Sequence, residues 1–334
     1  MKIAVDAMGG DHAPAEIIKG SVQAAREYGL EILLVGTEEL VNSHLRNEDM
    51  AGLKIQVVPA SEVIAFDEPP VAALRKKKDS TTVVGLKLVK DGGADAFVSA
   101  GSTGALLAGG LLLVGRIKGV DRPALGTVMP TTTGATFVLD VGANMNSRPH
   151  NLHQFAVMGS IYAERVLKMK EPRVALLNVG TEETKGDEVA RAAYQLLKTS
   201  GLNFAGNVEG RDVLFGAADV VVADGFAGNI FLKAIEGAAA ALFGLIKAEL
   251  TSSLPAKAAA VILKPRLKAV ARRLDYAEYG GGPFLGVDGT VVKCHGSSKA
   301  LAIKNGIRVA RDFLANDCVR LIRDNIPTED GAKD

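Results

Sequence analysis

The sequence predicts an α/β protein built on a doubly wound, mostly parallel sheet, with a protruding helical segment. Two observations carry this. Short apolar, β-branched runs such as 3–5 and 94–98 alternate with helix-length stretches, the pattern of repeated βαβ units. At least five of those runs end in Gly, Ser, Thr or Asn and pass straight into a helix start, which is where ligands collect in such sheets. The chain of 334 residues can bury a large core, and 48% hydrophobic with 23% charged residues is ordinary globular composition. Residues 1–326 are read as one large α/β domain that contains a helical contact segment at about 230–275; 327–334 is a polar tail expected to be disordered.

Taken in order, the first strand ends in Asp6, the pair Gly9-Gly10, then Asp11 and His12, and Pro14 opens a helix to about 28. Strands follow at 31–35 and 55–58, with a short helix at 38–46 between them. Glu68-Pro69-Pro70 is a break before the basic run Arg75–Lys78, which suits either a solvated helix end or a docking patch. A helix at 80–91 leads to the strand 94–98, then Ser99-Ala100-Gly101-Ser102-Thr103-Gly104 and a small-residue helix to 114. Strands at 134–141, 173–179, 220–223 and 291–294 each end in a comparable turn, and helices follow at 152–169, 187–199, from 229 and at 299–314. Any one of these turns alone is an ordinary tight turn, but five on one sheet edge are read as a site.

Composition narrows the function. A formal net charge of +1 and the absence of Trp exclude a strongly basic, base-stacking nucleic-acid binder. Cys294 and Cys318 are too few for a disulfide framework, and no export signal is visible, so a cytoplasmic location is expected. No uncharged run of about 18 residues occurs, so no membrane span is expected. Dinucleotide and P-loop fingerprints, the hydrolase elbow and zinc motifs are missing, and no cofactor or metal is expected. What remains is a set of short turns suited to a small oxyanion.

The turn 99–104 is the best phosphate cradle, with Gly101 and Gly104 allowing close approach and Ser102 and Thr103 supplying hydroxyls; it equally suits a capped helix start. Lys185, between Gly180 and Gly186, is a candidate to neutralise phosphate. Asn229, after Gly228, is either an N-cap or an amide donor to a carbonyl oxygen. Asp6 and Asp11 would orient His12 or Lys185 or accept a proton, and His12 is either a general acid–base or a structural residue. Cys294 fits a small core residue better than an acyl-bearing nucleophile. In 253–274, Leu254, Leu267 and Val270 are interleaved with Lys264, Arg266, Lys268, Arg272 and Arg273 around Pro265, which should break or restart the helix. Such a segment suits an anionic membrane surface, an acidic partner or the protein's own core. The preceding stretch 230–250 is apolar on nearly every face and should be buried in the core or in a subunit interface.

The strings DAMGGDHAP (6–14), SAGSTGA (99–105), DVGAN (140–144), NVGTEETKG (178–186), DGFAGN (224–229) and HGSS (295–298) together resemble the bacterial phosphate acyltransferase (PlsX) family of phospholipid synthesis, over essentially the whole chain. The resemblance implies transfer of a long-chain acyl group from acyl carrier protein to inorganic phosphate, the acyl-phosphate then serving a glycerol-3-phosphate acyltransferase. It implies a fold like phosphotransacetylases and isocitrate/isopropylmalate dehydrogenases, a homodimer and peripheral contact with the inner face of the membrane. On these motifs Ser102, Thr103 and Lys185 would hold phosphate, with Gly9, Gly10, Asn144, Gly228 and Ser297 in the same binding set. Asn229 would stabilise the oxyanion and His12 would protonate the thiol. Residues 145–150 depart from the family's acidic-Cys-Lys pattern, so no catalytic residue is assigned there. Alternative readings are a phosphotransacetylase acting on a coenzyme A thioester and a non-catalytic scaffold at the membrane surface.

Overall fold

The computed structural model describes residues 1–274 and 276–327, with the backbone alone for 272–274 and 276. The expected contacts of Arg272 and Arg273, and the tail from 328, therefore lie outside what is described. Pro327, placed in the tail by sequence, is held, because its carbonyl accepts a 2.8 Å bond from Gln154 Nε2.

Among the described residues eleven strands form one sheet: β1 (Lys2–Asp6), β2 (Glu31–Gly36), β3 (Ile55–Pro59), β4 (Ala96–Ser99), β5 (Ala124–Thr131), β6 (Gly134–Leu139), β7 (Val174–Asn178), β8 (Phe204–Glu209), β9 (Val220–Val222), β10 (Gly281–Leu285) and β11 (Thr290–Cys294). Their order is β3-β2-β1-β4-β11-β10-β5-β6-β9-β7-β8. Successive side chains on a strand point to opposite faces. Ile3 and Val5 accordingly pack with Ile17, Ile18 and Ile303 in one layer. Ala4 joins Leu33, Phe97 and Leu106 in the other. Both faces are buried, which is why these strands read as continuous apolar runs. Each fully buried Ile or Leu there contributes roughly 1.5–3 kcal/mol.

Strand direction corrects the expectation of a single ligand edge. β1 to β4 and β11 run parallel. β10 is antiparallel to both β11 and β5, and β5 is antiparallel to β6. β6, β9, β7 and β8 are parallel to one another and so run opposite to the first set. The glycine turns fall into two groups of three at opposite ends of the sheet. β5, β8 and β10 escaped the sequence reading because each carries residues unsuited to strand interiors, such as Gly126 and Pro130, Gly206, and Gly281-Gly282-Pro283.

Of the two places expected for the long apolar helix, core or subunit interface, the core of this chain takes only its first turns. In Gly225–Leu250 only Gly225 and Gly228 are buried, while Phe231, Leu232 and Ile235 lean on the core. Leu242 and Leu245 are 58% and 67% exposed. The helix rests on the sheet for its first turns only and then projects beside Leu254–Leu274, which continues through Pro265 without a break. By length and composition alone Gly225–Leu250 could cross a membrane. The sequence reading missed this because Lys233 and Glu236 interrupt the apolar run.

Candidate active site

Three turns meet at the carboxyl ends of β1, β4 and β11. Asp6 is buried beneath them; its carboxylate accepts from Ser99 Oγ (2.7 Å) and Met8 N (3.1 Å). Burial raises its pKa against the opposing pull of those bonds. Asp6 therefore fastens the first turn to the second; it does not orient His12 or Lys185. A Cβ at Gly9 would sit 2.5 Å from Asp6 Oδ2, and Gly10 has φ +101° with no room beside Ala100 and Gly296. The amide of Asp11 donates to Gly296 O (2.8 Å), joining the first turn to the third, while its carboxylate is exposed. His12 is partly buried on the same loop. Gly101 N donates to Ser99 Oγ (2.9 Å), and Ser102 Oγ caps its helix by accepting from Ala105 N (3.4 Å). Gly104 admits Pro70 against the loop.

The second group occupies the other end of the sheet. Asp140 accepts from the amides of Leu125, Gly142, Ala143 and Asn144 and from Asn144 Nδ2. Asn144 Nδ2 also donates to Pro123 O (2.8 Å), so both its amide hydrogens are spent inside the fold and none is left for substrate. Gly228 packs the long helix on this turn, since a Cβ there would lie 1.9 Å from Asp140 O. Asp224 is the N-cap of that helix, accepting from Phe226 N (3.0 Å), which excludes Asn229 from that role. Lys185 is exposed; its carbonyl is held by Asn178 Nδ2 (3.1 Å), and the neighbouring Gly186 and Asp187 line a cavity of about 520 Å³ with Leu152 and Leu176.

The long helix bridges the two ends. Beneath it lies a cavity of about 260 Å³ lined by Thr103 from the first group, Gly142 from the second, Asn229, Lys233 and Glu236 from the helix, and Gly280–Gly282, Lys293 and His295. Thr103 and Asn229 are thus brought to one cavity. Lys185 is not among its lining residues. The floor carries Lys293, whose Nζ donates to Ala100 O (3.4 Å) and to Cys294 O. Burial pushes the Lys293 ammonium down to about 8, with Lys233 adding to the effect and Cys294, Asp6 and Asp11 opposing it. His295 Nδ1 lies 2.8 Å from Ser297 Oγ, and its Nε2 lies 3.2 Å from Lys233 Nζ. Lys233 in turn pairs with Glu236 (2.7 Å). Burial, then Lys233, lowers the His295 pKa, which favours the neutral imidazole. Ser297 therefore reaches the site through His295. Cys294 is fully buried and its thiol is pushed up to about 12, so it cannot supply a thiolate at neutral pH.

Lys293, Lys233 and Gly280–Gly282 were not singled out from sequence, and His295 entered only as part of HGSS and as the neighbour of Cys294. A signal existed for two of them: Lys293 is the one charged residue in an otherwise apolar strand immediately before HGSS, and three consecutive glycines precede Pro283. Lys233 and Glu236 looked like interruptions of an apolar helix. Among the described residues no cluster of three or more His, Cys, Asp or Glu could hold a metal ion.

Residues 1–321 match the family described as "Fatty acid synthesis protein". A phosphate acyltransferase of Heliobacterium modesticaldum is 55% identical over 329 residues, 98% of each chain. That of Desulforamulus reducens is 51% identical over 334 residues, the full length of both. Among solved structures, a phosphotransacetylase from Streptococcus pyogenes superposes with a TM-score of 0.62 at 18% identity over 94% of each chain, which establishes a shared fold. On full-length identity above one half, the chain belongs to this family of fatty acid synthesis proteins, alongside the phosphate acyltransferases.

Proposed function

We propose that this enzyme transfers a long-chain acyl group from the thioester of an acyl carrier protein to inorganic phosphate, giving an acyl-phosphate for phospholipid synthesis. The observation that carries the reading is full-length similarity to phosphate acyltransferases in a chain whose central cavity combines a cationic floor with amide and hydroxyl donors. A phosphate oxygen attacks the thioester carbonyl carbon, the C–S bond breaks, and thiolate leaves. Phosphate is already nucleophilic, so the site's work is positioning and oxyanion stabilisation. Asn229 supplies an amide donor from the helix, and Thr103 a hydroxyl from the phosphate turn. Hydrogen phosphate loses its proton when the new bond forms. A neutral His295 is suited to take that proton and pass it to the thiolate, and His12, on the neighbouring loop, is the second candidate.

The partners follow from surfaces. The segment before the site turns lays Phe66 against Gly296 and Pro70 against Gly104, and carries exposed Arg75, Lys76 and Lys78. This basic patch beside the site suits an acidic carrier protein. The projecting helices expose Leu245, Leu254, Val261 and Ile262 together with Lys264, Arg266 and Lys268. That combination supports contact with an anionic membrane surface at the cytoplasmic face, or pairing with a second copy. The acyl-phosphate would then pass to a glycerol-3-phosphate acyltransferase at the membrane.

The test is hydroxylamine trapping of acyl-phosphate formed from palmitoyl-carrier-protein and phosphate, with palmitoyl- and acetyl-coenzyme A as competing donors. Phosphate-dependent product from the carrier-protein donor is expected. Product from acetyl-coenzyme A alone would instead make the enzyme a phosphotransacetylase.

A further inference from the structure

We infer that Lys293 is the cation that holds inorganic phosphate in the central cavity, the role that sequence motifs assign to Lys185. The inference rests on the acyl-to-phosphate reading for its ligand, but its geometry is independent of the acyl donor. Lys293 projects from β11 into the floor of the cavity, which Thr103 of the second turn and His295 of the third also line. Its protein partners are two backbone carbonyls, Ala100 O and Cys294 O. Among the described residues no carboxylate forms an ion pair with it: Asp6 and Asp11 act on it only at a distance, and Asp6 is committed to Ser99 and Met8.

A buried cation is ordinarily paired, because removing an ammonium from water costs far more than two carbonyl bonds return. A cavity that keeps an unpaired ammonium on its floor is complementary to an anion. Lys233 stands at the rim with its charge shared with Glu236, so it extends the positive surface without neutralising the floor. The walls give room for a tetrahedral anion and donors to it. Gly280–Gly282 line it with backbone and no side chains, and Thr103 is also in its lining. Lys185, exposed beside the other cavity, has none of these features.

Phosphate binding is measured directly by calorimetry with inorganic phosphate and the full chain, and by the phosphate KM in acyl-phosphate formation. Lys293→Met should weaken phosphate binding roughly 10- to 100-fold, the effect of losing one charge-assisted bond, and leave the KM for the acyl thioester within about twofold. Lys293→Arg should recover part of the affinity, and Lys185→Met should leave it unchanged. A folded Lys293→Met that binds phosphate like the parent overturns the inference, as does a loss confined to kcat. If Lys293→Met does not fold, Lys293→Gln decides: unchanged phosphate affinity and KM overturn the inference, and a weaker affinity with a selectively raised phosphate KM supports it. A parent that binds phosphate through Lys293 yet makes no acyl-phosphate refutes the proposed reaction and leaves the site standing.

Discussion

The unpaired ammonium of Lys293 has a cost that pH should reveal. Burial holds its pKa down from 10.5 to about 8. Below pH 8 the side chain is charged in both folded and unfolded chains, and the folded state bears the full desolvation cost. Between pH 8 and 10.5 the unfolded chain binds the additional proton, so stability rises with pH. Above 10.5 both forms are neutral and the cost is gone. At about 1.4 kcal/mol for each tenfold change in proton affinity, the cost is about 3 kcal/mol. Urea unfolding of the parent and of Lys293→Met in phosphate-free buffer, from pH 7 to 10.5, measures it. Relative to the parent, the Met variant should lose about 3 kcal/mol of stability across that range. The groups facing Lys293 (Lys233 and Glu236 from the long helix, Asp6 and Asp11 from the first turn, Cys294, His295 and Tyr279) are present in both chains and largely cancel in the difference. Added phosphate at pH 7 should stabilise the parent more than the variant, because it binds the native parent. A stability difference that does not move with pH would refute the claim that Lys293 is held against its charged form.

Two further outcomes test the surrounding frame. Asp140→Asn leaves one acceptor oxygen where two now receive five donors, and should cost about 3 kcal/mol or more by urea unfolding; a near-neutral result would mean that the turn re-forms without its carboxylate. Cys294, buried with its thiol pushed up to about 12, should resist iodoacetamide at pH 8 in the native enzyme, and Cys294→Ala should form acyl-phosphate; an acylated Cys294 trapped by mass spectrometry would overturn the direct attack of phosphate.

The sequence by itself determined the local structure and the kind of chemistry. Runs such as 31–35 are buried on both faces, and their shortness and flanking turn residues mark them as covered strands rather than helices. The turns at 99–104 and 295–298 announced an anion site because backbone donors and small residues are encoded next to one another. The tertiary structure decided which turns act together. Strand direction depends on which strands pair: β10 binds β5 across more than a hundred intervening residues, and the hairpin between β5 and β6, in a stretch where the sequence reading missed β5, turns the second half of the sheet around. Nothing local to Lys185 or Asn144 records that reversal, so their motifs read as neighbours of 99–104 when they stand at the other end. Lys293 shows the converse. Its place in an apolar strand was visible, but its unpaired state was not, because a missing counter-ion is a property of the assembled cavity. The long helix makes the same point for burial: its composition specifies an apolar surface, and only packing shows that the sheet covers the first turns and leaves Leu242 and Leu245 exposed.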